Sequence, residues 1–218
     1  MAPAYSSLSG AAAVAVGLVA FGVVALDAGW RFVRHGTVMA HEGAHAMVGS
    51  LLFRRIGGIT LNPDATGGTR LGAGGRLGSI LVGFAGYVGP SLFGLGAAWL
   101  IRLGHSVAVL WLTLVLLGGL AVLLVRSYGR ITVALGGFGL YAVLRYAPAA
   151  AQTVTAYGIT WLLLLSGVRR VLEVGIRSDD AGQLRKLTYV PMFFWFLLWL
   201  AATGGAVALG GTMLVMPS

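Results

Sequence analysis

Of the 218 residues, 58% are apolar and only 10% are charged, where an ordinary soluble domain carries about 25% charged residues. That balance excludes a soluble globular protein, and with room for six or seven spans of about 20 apolar residues each it excludes a large domain outside the membrane. The net charge of +9 sits on arginines placed singly or in pairs between apolar runs, the pattern of positive-inside topology and not of a nucleic-acid-binding face.

In chain order, the first ten residues hold no Lys or Arg. The charged start of a signal peptide is therefore missing, and the apolar run from Ala11 is expected to remain as a helix. Seven candidate spans follow, at residues 8–30, 36–53, 77–101, 107–125, 131–144, 147–168 and 189–216. The fifth is short, because 14 residues reach about 21 Å across a hydrocarbon core of about 30 Å. The basic residues decide whether it crosses. With the N-terminus inside and seven spans, eleven of the fifteen Lys and Arg residues are cytoplasmic and four (Arg31, Arg34, Arg102 and Arg145) are outside. A re-entrant fifth segment would put the five basic residues from Arg169 to Lys186 outside, so seven spans are kept.

Two loops are more than connectors. Residues 57–76 read GGITLNPDATGGTRLGAGGR, where Ile59, Leu61, Thr69 and Leu71 flank a Pro, Asp and Gly cluster in the manner of a small hairpin. Residues 177–186 read RSDDAGQLRK and hold two of the six acids. Glycine, at 35 residues, recurs in pairs that let membrane helices approach closely. The expected fold is a single membrane-embedded domain over residues 1–218: an all-α polytopic membrane protein with about seven transmembrane helices and a small β-hairpin between spans two and three.

Within the second span stands His41-Glu42-Gly43-Ala44-His45, an H-E-x-x-H pattern. On a helix, positions i and i+4 share a face, so both imidazoles can reach one metal ion while Glu42 addresses a water bound to it. Four His and two Glu in the chain give the pattern a chance occurrence of roughly one in a thousand. Three ionisable groups in five residues of an apolar helix are also costly, at about 2.5–3.5 kcal/mol for a central charge, and mark function. With no cysteine in the chain, the metal's ligands must be His, Asp or Glu, and Zn2+ suits the imidazoles.

A catalytic zinc with two histidines wants a third protein ligand. The candidates are Asp27, Asp64, Glu173, Asp179 and Asp180, with His35 and His105 more remote. Asp64 fits an Asx turn, Glu173 a partner for Arg169 and Arg170, His35 an interfacial position and His105 a loop. The Ser178-Asp179-Asp180 run is left, where Ser178 or Asp179 also fits a helix N-cap. Spacing alone does not choose between the two acids.

The HEGAHA helix, the Arg54-Arg55 pair and the Gly-rich hairpin resemble the site-2-type intramembrane zinc metalloproteases, the M50 peptidases. The chain is most similar to their small M50B-like group through LNPDATGGTR at Leu61 to Arg70, Gly86-Tyr87-Val88-Gly89-Pro90-Ser91, and the stretch from Ser178 to Pro191. The resemblance implies zinc at His41 and His45 and Glu42 as the catalytic base. Through the register of Ala181, Leu184 and Leu187-Thr188, the resemblance implies Asp180 as the third ligand. It further implies that the hairpin pairs with an unwound substrate segment and that residues 86–91 line the cavity. The expected function is zinc-dependent endoproteolysis of membrane protein or peptide substrates by metal-activated water, in a multi-pass protein of the plasma membrane, with the lipid bilayer as surroundings and no nucleic acid partner. The alternative is a non-proteolytic membrane scaffold that retains the zinc site. The two part at Glu42→Gln, which a scaffold tolerates and a hydrolase does not.

Overall fold

The computed structural model describes residues 7–123 and 127–216. Arg126, one of the eleven basic residues assigned to the cytoplasm, the last two residues of the fourth expected span and residues 1–6 lie outside the described residues.

Helix α1 (Gly10–Ala25) is followed, after a single extended residue at Leu26, by α2 (Asp27–Leu51). The two helices meet at 95°. The connection expected around Arg31 to His35 is therefore helical, and the break falls earlier. Packing from near and far in the chain holds the break. Gly29 touches the last turn of α1 so closely that a Cβ there would lie 2.4 Å from the Val23 carbonyl oxygen. Arg169, from a distant helix, donates to the Val24 carbonyl and to Asp27 Oδ1 (2.7 Å), with its guanidinium 4.9 Å from the Trp30 ring centre. The carbonyl end of α1 and the acidic start of α2 thus share one cation.

Helices α3 (Arg76–Arg102), α4 (Ser106–Leu123) and α8 (Met192–Val215) are each long and apolar enough to cross a membrane, and α1 with α2 qualifies jointly as one broken span. Among the described residues three or four candidate spans meet this length and hydropathy test, against the seven expected. The fifth expected span lengthens to the 20 residues of α5 (Ser127–Tyr146), and the sixth becomes α6 (Ala149–Val174). Both are diluted by polar side chains: Arg130 and Arg145 in α5, and Gln152, three threonines, Arg169, Arg170 and Glu173 in α6. The bare apolar faces are lipid-like surfaces. On α4, Trp111, Leu112, Val115 and Leu116 are at least half exposed, as are Phe193, Phe194 and Leu198 on α8, a display that a soluble monomer avoids.

Helix α3 is the hub, packing against α2, α6 and α8. Its glycines let α2 close in, since a Cβ on Gly89 would lie 2.3 Å from the Ala44 methyl. On its other side Tyr87 and Val88 join Val171, Ala181, Leu184 and Trp199 in a buried cluster.

The hairpin is present, with β1 (Ile56–Leu61) antiparallel to β2 (Gly67–Leu71) and Leu61 opposite Gly67, Ile59 opposite Thr69. Its turn is closed by Asp64, whose Oδ1 accepts from the Thr66 amide (3.1 Å) and hydroxyl (2.7 Å). These bonds hold the Asp64 carboxyl below the usual carboxylate range. The hairpin folds back along α2, so that the Pro63 carbonyl at its tip lies 3.2 Å from His35 Nε2. Because strand side chains alternate, Gly67, Thr69 and Leu71 share the face toward α2, meeting Val38 and Glu42, then Glu42, then Gly49.

After α6, a 3₁₀ turn (Gly175–Arg177) leads into a separate short helix, α7 (Asp179–Thr188). The acidic run thus opens a short helix of its own, ahead of the last expected span. Tyr189 in the left-handed conformation (φ 63°) ends α7, and Pro191 N-caps α8. Ser178 is the N-cap of α7, accepting from the Ala181 amide at 3.1 Å. Ala181 and Leu184 are fully buried, and Arg76 donates to the Leu187 carbonyl (2.6 Å), pinning the far end of α7 to the start of α3.

Candidate metal centre

Three side chains from two distant parts of the chain converge. His41 Nε2 and His45 Nε2 lie 3.1 Å apart, and Asp180 Oδ2 is 3.2 Å from the first and 3.4 Å from the second. The histidines come from one face of α2, one turn apart, and Asp180 from the first turn of α7, which its buried Ala181 and Leu184 seat against α3. Both imidazoles are 7% exposed.

The donor set fits zinc. Ligands about 2.0–2.1 Å from a tetrahedral ion sit about 3.3 Å from one another, which the three observed separations match. His45 Nδ1 lies 2.8 Å from the Val82 carbonyl. A carbonyl only accepts, so Nδ1 carries the proton and Nε2 presents a lone pair to the centre, the arrangement by which proteins orient a ligating imidazole. His41 is held differently, its ring edge-on to Tyr87 (4.8 Å, 85°), which in turn stacks on Trp199 (4.3 Å). Among the described residues, His41 Nδ1 is buried with no hydrogen-bond partner.

Gly86 makes the approach possible. A Cβ there would stand 2.4 Å from His45 Nε2 and 2.6 Å from His41 Cε1, so the imidazoles occupy the space a side chain would fill. One turn back, Val82 supplies the carbonyl that orients His45.

Glu42, 5% exposed, stands beside the triad. Its Oε2 accepts from the Thr69 hydroxyl at 2.7 Å, and the same hydroxyl is 3.1 Å from the Glu42 carbonyl. Around these groups lies a polar cavity of about 510 Å³, walled by the triad, Glu42, residues 66–69 of the hairpin, Tyr87 and Arg54, Arg170 and Arg177. Such an arrangement can hold a metal ion, admit water to it and keep a carboxylate within reach of that water.

The remaining candidates are engaged elsewhere. Asp27 pairs with Arg169, and Asp64 closes the hairpin turn. Glu173 receives the Trp30 indole N–H at 3.3 Å and lies 3.5 Å from Arg170. His35 sits at the hairpin tip and His105 in the connection from α3 to α4. Asp179 is exposed at the cavity wall, next to but not in the triad. Of residues 86–91, Tyr87 lines the cavity and Gly86 faces the imidazoles, while Gly89 packs on α2 and Ser91 bonds the Leu164 carbonyl of α6 at 3.0 Å. Sequence reasoning passed over Thr69 and Val82. The period-2 face of β2 was the one signal available for Thr69, and a backbone carbonyl such as that of Val82 leaves no mark in sequence.

A family model described as Peptidase M50B-like matches residues 14–210. No curated protein and no solved structure matches the chain.

Proposed function

The chain belongs to the Peptidase M50B-like family, and on that premise we propose that it is a zinc-dependent intramembrane endopeptidase acting on membrane protein or peptide substrates. The observation that carries this reading is the convergence of His41, His45 and Asp180 beside Glu42 in a polar cavity walled by α2, α3, α7 and the hairpin. His41 and His45 would hold the ion through Nε2 and Asp180 through Oδ2. A zinc ion so held supplies Lewis acidity and a bound water acidified toward neutral pH.

The chain's own groups do the rest. Glu42 accepts the proton of the attacking water at its carboxylate and returns it to the leaving amine. Val82 keeps His45 in the tautomer that offers Nε2. The cavity admits water to a depth where unpaired backbone is tolerated only if it lines protein or water. The open edge of β2 offers backbone groups to an extended segment, which a helical substrate must adopt before its amides are free to be cut. In this reading α1, α2, α5 and α6 join α3, α4 and α8 in the bilayer of the plasma membrane, giving seven helical segments within one domain.

The decisive experiment compares membrane-protein fragments across the proteome in cells carrying the native chain or Glu42→Gln. Fragments that require Glu42 are expected. Identical fragment profiles would refute peptidase activity and leave a scaffold.

A further inference from the structure

We propose that Thr69 is a positioning residue for Glu42, so that the hairpin both walls the cavity and sets the orientation of the base. The inference rests on the peptidase reading above, in which Glu42 is that base.

A glutamate side chain has three rotatable bonds, and on a helix facing a water-filled cavity it would sample several of them. Here it does not hang free. Thr69 Oγ1 lies 2.7 Å from Oε2, the length of a strong hydrogen bond from a hydroxyl to a carboxylate. The hydroxyl has one proton to give. The Glu42 carbonyl, 3.1 Å away, belongs to a helix that continues to Leu51 and so already has an amide partner four residues on. The shorter, charge-assisted bond to the side chain is therefore where the proton goes. Thr69 is itself stiff, being β-branched on a strand and held in register opposite Ile59, which is 2% exposed in the core under the hairpin.

The neighbouring residue on the same strand face completes the clamp. Gly67 lies against the other oxygen, where a Cβ would stand 2.9 Å from Oε1 and 2.9 Å from the Val38 side chain. With glycine at position 67, the carboxylate has room at Oε1. The two alternate positions of β2 thus divide the carboxylate: Thr69 fixes Oε2, and Gly67 leaves space for Oε1.

The test uses the zinc-loaded full chain in detergent with Thr69→Val, which keeps the shape and loses the donor, and Thr69→Ser, which restores the donor. Thr69→Ala replaces Thr69→Val should the latter misfold. The first readout is infrared: the carboxyl band of Glu42, identified by its loss in Glu42→Gln, is expected to shift in Thr69→Val and return in Thr69→Ser. The second is turnover of a quenched-fluorescent peptide of apolar, membrane-span composition. In Thr69→Val, kcat is expected to fall roughly 10- to 100-fold, the scale of one hydrogen bond to a charged group, with KM within about twofold of native, zinc content unchanged, and recovery in Thr69→Ser. An unshifted band in Thr69→Val, or a serine variant as impaired as the valine one, overturns the proposal. If the native chain cuts no more than Glu42→Gln, the peptidase reading fails instead, and the infrared band alone decides whether Thr69 holds Glu42.

Discussion

Adding one methyl group at Gly86 separates the metal centre from the fold that carries it. In Gly86→Ala the new carbon would stand 2.4 Å from His45 Nε2, 2.5 Å from His45 Cε1 and 2.6 Å from His41 Cε1, where unstrained heavy atoms keep about 3.5 Å. The deficit of about 1 Å must be met by the imidazoles, because the α2 and α3 backbones are locked by the Gly89 to Ala44 contact one turn on. Metal sites tolerate about 0.2 Å in ligand distance, so the displacement is about five times the allowance. It also pulls His45 from the Val82 carbonyl, a loss that by itself costs roughly 10- to 100-fold in metal affinity. Fold stability should move much less: overpacking costs about 1–3 kcal/mol, offset by about 1 kcal/mol from replacing glycine in a helix. Competition with a chelator measures zinc affinity, and thermal unfolding of the metal-free protein measures the fold. Gly96→Ala, in the same helix with nothing within 4 Å of the added carbon, is the control and should bind zinc as the native chain does. Zinc affinity for Gly86→Ala within about threefold of native would refute the reasoning.

Asp180→Ala should lower zinc affinity at least tenfold, whereas Asp179→Ala should leave it within about threefold, since only the former carboxylate meets the two imidazoles; metal analysis of the purified variants distinguishes them. Gly167→Ala places a carbon against the Ser91 hydroxyl, which is fully buried between α3 and α6, and should cost about 3 kcal/mol in a detergent unfolding assay while zinc affinity of the surviving folded fraction is unchanged. The depressed Asp64 carboxyl stabilises the hairpin turn above its unfolded pKa of about 3.9, and that contribution disappears as pH falls through the lower folded value. Hydrogen exchange at the Thr66 amide, which Asp64 accepts, should therefore show its protection steady above about pH 4 and lost below it.

What the sequence reveals is what is local. The His41 and His45 pair is legible because both ligands sit on one turn of one helix, and the hairpin because Asn62 to Thr66 carries its own turn chemistry. The rest depends on surfaces that meet only in the folded chain. Asp180 is chemically like Asp179 beside it, and only the burial of Ala181 and Leu184 turns one of them inward. The break at Leu26 has no proline, and its cause includes Arg169, more than a hundred residues away. Hydropathy sets the last span apart from residue 189 on, but it does not show that the polar run before it is a helix of its own, which Tyr189 in the left-handed conformation ends before Pro191 starts α8. Thr69 looks like an ordinary strand residue until its alternation with Gly67 and Leu71 is set against α2.

The placement of the third carboxylate on α7 carries a consequence in time. The ribosome makes His41 and His45 early, but Asp180 follows roughly 135 residues later, a delay of about 7 to 27 s at ordinary synthesis rates. During that interval the growing chain holds two imidazoles and a carboxylate base with no complete cage around them. The short helix docks only once α6 has been made, and its far end is held by Arg76. For the proposed peptidase, competence for chemistry is thereby withheld until α7 has been made, and a nascent chain beside other newly inserted membrane proteins has an incomplete cutting site.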